Sequence, residues 1–297
     1  MEKKKIYGLM VLATLFWAGA FIAGKYTVPY IPVFTLTFLR FFFAAIVLYG
    51  VMRGTHHSYQ LQKTHIPVFL LTGIIGMFGY HILFFTSLKY TTAIHSSIIG
   101  AMNPIVTVVL AFILLKQRLT LLQVFGVVLS FIGVFLTITG ANIEAVKELS
   151  FNKGDLIMLC AVFCWALYGI ISSKAFQNEN NIVTPIVLTF YSFVICLIVL
   201  VPFVIWEKPW NFISHLSLTV WMAVLYMSIF PSVIGYLVQQ LSIKEIGPGR
   251  TSIFINLVPV FSIILAMLLL NEILEPFKII TALLIIIGVI ITQKESI

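Results

Sequence analysis

The chain has 297 residues, of which 61% are hydrophobic and 9% charged, with a net charge of +8. A soluble domain carries about 45–50% apolar and about 25% charged residues, so these proportions exclude an ordinary soluble enzyme. They also exclude a disordered chain, which needs low hydrophobicity. The basic residues sit in short loops between apolar runs and read as topology signals, not as a nucleic-acid surface.

A helix that spans a bilayer needs about 20 mostly apolar residues. Such runs fall near 6–24, 34–52, 66–88, 94–115 and 121–139, then near 154–173, 185–206, 217–241, 250–270 and 277–293. The pattern predicts an all-α membrane protein of ten transmembrane helices. They divide into a first unit, 1–140, a polar connection, 141–153, and a second unit, 154–297. Lys3, Lys4 and Lys5 before the first run, with Ala18-Gly-Ala20 behind it, also fit a secretory leader. Nine further spans make a retained first span the expectation.

In chain order, the first span carries Trp17. The second carries Arg40, the only charge well inside an apolar run. It costs roughly 2.5–3.5 kcal/mol at a helix centre on insertion scales. It either binds an anionic group of a substrate or a neighbouring helix's carbonyls, or it caps a partner helix or snorkels to the interface. The third span holds Tyr80 and His81, an interior histidine that either packs with a hydrogen bond or takes a substrate or proton role. His95 begins the fourth, and His56, His57 and His65 share a loop without a cysteine or acid close by, so no metal site is expected.

Asn103 and Pro104 fall in span four, Asn256 and Pro259 in span nine. A mid-span proline cannot donate a backbone hydrogen bond and crowds the preceding turn, leaving the carbonyls of Gly100 and Ile255 in need of partners. Paired interruptions in two halves point to a midplane binding site; a plain packing kink is the alternative. Trp165 and Tyr168 lie in span six beside Cys160 and Cys164, and Tyr236, Gln239 and Gln240 in span eight. The aromatics either line a cavity or pack the core, and their polar tips want partners when buried. The two cysteines of span six and Cys196 suit buried packing, without a disulfide framework. Tyr30, Trp206 and Trp210 lie near span ends, as an interfacial belt requires.

The second five spans echo the first. Leu36 to Leu48 lines up with Leu188 to Leu200 at a constant offset of 152. Trp17 faces Trp165, Gly79-Tyr80 faces Gly235-Tyr236, Pro104 faces Pro259, and Leu114 to Gln117 meets Leu269 to Glu272. Five spans is an odd number, so the second repeat enters the bilayer from the opposite side. That makes an inverted repeat with a pseudo-two-fold axis in the membrane plane, as in secondary transporters. With the N-terminus inside, lysines and arginines divide 11 inside to 6 outside, which favours cytoplasmic N- and C-termini in the cytoplasmic membrane.

The end of each repeat bears a family resemblance. Gly247 to Ser252, Pro259 and Leu268-Leu-Leu-Asn-Glu272 in the second half answer Ser96-Ser97, Asn103-Pro104 and Leu114-Leu-Lys-Gln117 in the first. The chain resembles the drug/metabolite transporter superfamily, specifically its ten-span EamA family. Gln117 stands where the family usually has an acid, so that acid's role is missing from this half. The resemblance implies a central cavity lined by spans one, three, four, six, eight and nine, and the transport of amino acids, other metabolites or toxic organic compounds, often outward.

All ten acids lie in tails or at span ends, which disfavours a proton-coupled exporter of organic cations. No phosphate-binding loop, zinc-helix motif or nucleophile elbow occurs, so no enzyme, ATP-driven pump or cofactor is expected. The expectation is a secondary transporter that moves a small metabolite, an amino acid or a related compound, by alternating access, with export as its direction. A multidrug exporter and a channel-like pore are the alternatives. Its partners are a small-molecule substrate and the bilayer, as a monomer or a homodimer. Trp17, Tyr80, His81, Asn103, Trp165, Tyr168, Tyr236, Gln239 and Asn256 are the candidate substrate-binding residues.

Overall fold

A computed structural model describes residues 3–54, 62–91, 96, 99–117, 120–140, 142, 152–177, 183–270 and 276–293. The expected roles of His56, His57, His95, Ser97 and Glu272 lie outside the described residues. Within them the chain is helical, without a strand. The principal rods are α1 (Lys3–Thr27), α2 (Val33–Gly54), α3 (Lys63–Tyr90), α4 (Asn103–Leu115), α5 (Leu121–Thr139), α6 (Lys153–Gln177), α7 (Pro185–Glu207), α8 (Leu218–Ile246), α9 (residues 248–270) and α10 (Pro276–Gln293). Six of them, α1, α2, α3, α6, α7 and α8, are long and apolar enough to cross a membrane, while α4, α5 and α10 contain shorter apolar helices.

Large apolar side chains cover the outside of the bundle, among them Ile46, Phe112, Phe125, Ile198 and Met222. Such a surface is unstable in water and matches hydrocarbon. Tyr30, Trp206 and Trp210 are exposed where α1 and α7 end, at the level where an amphipathic ring meets headgroups. At that end the Glu207 carboxylate closes the start of α2, accepting from the Phe34 amide (3.2 Å), the Thr35 amide (2.7 Å) and the Thr35 hydroxyl (2.7 Å). An anion at a helix N-terminus meets free N–H groups and the positive end of the helix dipole. At the other end, Thr120 and Gln123 form a reciprocal capping box at the start of α5.

The packing is reciprocal between halves. α1 packs against α9 and α8, and α6 against α4 and α3; α2 packs on α8, and α7 on α3. Two pairs join one half directly to the other. In the α2–α7 pair, Phe34 meets Phe203 (4.8 Å between ring centroids), Phe41 meets Phe193 (4.7 Å) and Tyr49 meets Phe190 (6.0 Å), so the helices run antiparallel. In the α5–α10 pair, a Cβ on Gly288 would fall 2.6 Å from the Gly126 carbonyl oxygen, and one on Gly133 would fall 3.1 Å from the Thr281 carbonyl oxygen. Gly126 and Thr281 are 155 residues apart, as are Gly133 and Gly288, so one contact is made twice with the roles exchanged. Small residues let these backbones approach where lipid offers no hydrophobic drive for association.

α3 and α8 share a backbone irregularity. Each contains an eight-residue π-helical segment, Thr72–Gly79 and Ser228–Gly235, followed by an eleven-residue α-helix, Tyr80–Tyr90 and Tyr236–Ile246. The offset is 156 throughout. A π segment widens the helix and frees backbone groups for other partners. Pro104 and Pro259 behave differently from the expected mid-span kinks. Pro104 is in the first turn of α4, after a turn at Ala101–Met102, and Pro259 is in the first turn of Leu257–Leu270, after the 3-10 segment Ile253–Asn256. A proline in a first turn removes no intrahelical hydrogen bond, so each opens a helix that follows a break.

Candidate functional site

The two π segments and the helices facing them enclose a cluster of rings at the centre of the bundle. Trp17 and Trp165 meet edge to face at 6.2 Å. Tyr80 lies 4.5 Å from Trp165, and Tyr236 lies 6.4 Å from Trp17. Phe41 stacks on Phe193, and His81 sits edge-on to Phe41 at 4.8 Å. The structure therefore brings together five of the expected residues, Trp17, Tyr80, His81, Trp165 and Tyr236. Tyr168 joins them at 5.6 Å from Trp165. Phe41 and Phe193 were not among the expected residues. Their signal was that one residue type recurs at offset 152 within the clearest repeat match.

The freed π-segment groups are where polar side chains attach. His81 Nδ1 lies 2.8 Å from the Met77 carbonyl oxygen, and its Nε2 lies 2.6 Å from the Tyr236 hydroxyl. A carbonyl oxygen can only accept, so Nδ1 carries the proton, and Nε2 of the neutral ring accepts from Tyr236. Trp17 Nε1 donates to the Pro231 carbonyl at 3.3 Å. Gly235 admits that indole, since a Cβ there would lie 2.7 Å from Trp17 Nε1. Arg40 Nε donates to Ser232 Oγ at 2.8 Å, and Ser232 in turn donates to the Met227 carbonyl at 2.9 Å. In the other half Ser192 Oγ stands 2.7 Å from Thr72 Oγ1. Ser192 is the counterpart of Arg40 at offset 152, so α2 and α7 each hold the π segment of the opposite repeat.

The remaining expected residues lie elsewhere. Asn103 donates to the Val162 carbonyl at 3.3 Å and accepts from Thr107 at 3.2 Å, which ties α4 to α6. Both ends of its amide are engaged, and the carbonyl it meets belongs to α6 rather than to the break before Pro104. Asn256 donates to Ser130 Oγ at 2.8 Å, tying α9 to α5, while its Oδ1 has no partner among the described residues. Among the described residues, Gln239 Oε1, both polar atoms of Gln240 and the Ser172 hydroxyl are buried without a hydrogen bond. These atoms line the seam where α6 meets α8. Unmatched buried polar atoms call for water or a ligand.

Beyond the seam, where α4, α6 and α8 finish and α5 and α9 start, is a cavity of about 410 Å3. Gln117, Gln123, Ser173, Gln177, Lys244 and Arg250 line it with polar and basic groups. Among the described residues no group of three or more histidine, cysteine or acidic side chains is arranged to hold a metal.

The EamA-like transporter family model matches this chain twice, over residues 4–139 and 152–293. This chain belongs to the EamA-like transporter family. An uncharacterized transporter of Bacillus subtilis, YyaM, is 37% identical over 98% of this chain and 94% of its own length. An uncharacterized transporter of Archaeoglobus fulgidus is 31% identical over 98% of both chains. The uncharacterized inner membrane transporter YhbE of Escherichia coli is 26% identical over 91% of this chain and 83% of its own. A crystal structure of a protein 20% identical in sequence has the same fold, with a TM-score of 0.75 over 98% of this chain and 96% of that one. The family makes this protein a membrane-embedded, multi-pass transporter, and its apolar helices agree.

Proposed function

We propose that this EamA-family protein is a secondary carrier of a small organic metabolite, an amino acid or a related compound, which it exports across the cytoplasmic membrane by alternating access. In this reading ten spans form two inverted five-helix repeats, 1–140 and 154–297, with both termini cytoplasmic. Its partners are the substrate and the bilayer. The observation that carries the reading is the reciprocal, antiparallel contact of equivalent helices. Phe41 stacks on its own counterpart Phe193, and Gly133 and Gly288 exchange roles across α5 and α10. Equivalent positions that meet in antiparallel helices lie about a two-fold axis perpendicular to those helices, which is an axis in the membrane plane. The twofold match of the family model supports the same division.

Two halves of this kind can exchange conformations about a fixed centre and open it to one side and then the other. The ring cluster sits at that centre and offers apolar walls with the His81–Tyr236 pair as a polar handle. An organic-cation exporter fits less well, because the charged side chain at the centre is the cation Arg40.

The test is counterflow in proteoliposomes with a panel of radiolabelled amino acids, related metabolites and organic cations. Saturable uptake that accelerates with unlabelled solute on the far side is expected for one or more amino acids or related metabolites. Flux that neither saturates nor shows counterflow is the result for a pore and overturns the carrier reading.

A further inference from the structure

We propose that Arg40 is the receptor for a carboxylate on the transported molecule, so that the substrates are small monocarboxylates or zwitterions with an apolar flank. The inference deepens the carrier reading above and rests on it. Arg40 is 5% exposed and stands eight residues into α2, well inside the bundle. Its guanidinium has five N–H donors, and among the described residues it makes one hydrogen bond, from Nε to Ser232. That bond orients the fork. Among the described residues no carboxylate meets the terminal nitrogens. Asp155 is held by Thr91 and Asn152, Glu207 caps α2, and Glu245 is exposed at the end of α8. The Phe41 ring has its centroid 5.7 Å from the guanidinium carbon and supplies only a weak attraction.

The fold does not need this charge. At the equivalent position Ser192 joins α7 to the π segment of α3 through a hydroxyl-to-hydroxyl contact of 2.7 Å, with no ion involved. Architecture therefore asks for a hydrogen bond at this place, and a serine meets the request. A charge kept unpaired in a bilayer core marks a functional site. The chemistry that completes it is a planar anion that accepts two N–H bonds in parallel, which a carboxylate does. Charge balance selects one negative charge. A dianionic phosphate would leave the guanidinium over-compensated in hydrocarbon, whereas a carboxylate group matches it one to one.

The rings beside Arg40 then take the rest of the molecule. Phe41 touches both Arg40 and His81, and Tyr236 closes the same side through its bond to His81. The cavity at the end of the bundle has the matching sign, since Lys244 and Arg250 line it and, among the described residues, no acid does.

The test uses the full-length protein in lipid nanodiscs and a library of metabolites in matched sets of free acid, amide and decarboxylated amine, for example L-phenylalanine, phenylalaninamide and 2-phenylethylamine. Thermal stabilisation by mass action reports binding. The expected result is that stabilising compounds carry a carboxylate and that their amides and amines bind at least tenfold more weakly. Arg40→Gln abolishes the preference for acid over amide, and Arg40→Lys, which keeps the charge without the fork, retains it at reduced affinity. If R40Q does not fold, the acid-to-amide ratio in the unaltered protein decides. Stabilisation by amides and amines as strong as by acids overturns the role of Arg40, while counterflow of those compounds leaves the carrier reading intact. If nothing in the library binds or moves, both fall.

Discussion

Phe41 and Phe193 occupy the same place in the two halves of the chain, 152 residues apart, and their rings stack on each other at 4.7 Å. A residue that touches its own repeat counterpart lies on the symmetry axis relating them. In the proposed inverted-repeat arrangement this pair marks the centre, and the groups that differ between the halves there stand out. They are Arg40, opposite Ser192, and His81, opposite Leu237 at offset 156.

Replacing Tyr236 with phenylalanine removes the hydroxyl that His81 Nε2 accepts from and leaves that nitrogen buried without a partner. The expected loss is about 1–3 kcal/mol, the penalty for a buried group left unsatisfied. Melting of the purified variant in nanodiscs measures it. Counterflow should slow as well, since the imidazole loses the contact that sets its orientation. His81→Leu, which copies the counterpart Leu237, leaves the Tyr236 hydroxyl buried without its acceptor and should cost a similar amount, while also slowing counterflow.

Gly133→Leu or Gly288→Leu forces a side chain into backbone at the α5–α10 contact. Overpacking of this kind costs about 1–3 kcal/mol, and the two single variants should lose similar amounts because their environments are exchanged copies. Thermal melting of both, side by side, checks the equality.

Glu207→Ala leaves the Phe34 and Thr35 amides at the start of α2 without their acceptor. Loss of a helix cap costs about 0.5–2 kcal/mol. Glu207→Gln keeps an acceptor but not the charge, and its loss should be smaller. Melting temperatures of the two variants rank these contributions.

Cysteine labelling tests the antiparallel arrangement. In a background with Cys160, Cys164 and Cys196 replaced, a single cysteine at Lys3 and one at Lys153 should react with a membrane-impermeant thiol reagent from opposite sides of the vesicle. Labelling of both from one side would remove the inverted relation between the halves.

Much of this organisation was legible in the residue order. Apolar runs of spanning length mark the helices because lipid tolerates little else, and the repeat is visible because Trp17 and Trp165, or Tyr80 and Tyr236, recur at nearly constant spacing. The gathering of those rings follows from the symmetry, although no local pattern says that they touch. The π segments were not legible. Their one surplus residue changes hydrogen bonding without changing hydropathy, and the glycines at 73, 76 and 79 fit an ordinary small-residue helix face equally well. Pro104 and Pro259 drew attention as mid-span breaks, but a first-turn proline and a kinking proline read alike until the preceding backbone is known. Asn103 looked like a ligand for a related reason, since residue type alone does not reveal that Val162 and Thr107 already occupy its amide.

The surplus residue in each widened coil has a consequence for how the bundle can be edited. Deleting a single amino acid anywhere in Thr72–Gly79 lets that stretch rewind as regular α-helix, and everything up to Tyr90 would then swing about 100° around the rod. His81 would leave Tyr236, and Tyr80 would leave Trp165, while the helix kept its length to within one rise. The same excision in Ser228–Gly235 would turn Tyr236 away instead. Side-chain aim at the heart of this protein is thus set by counting along the chain.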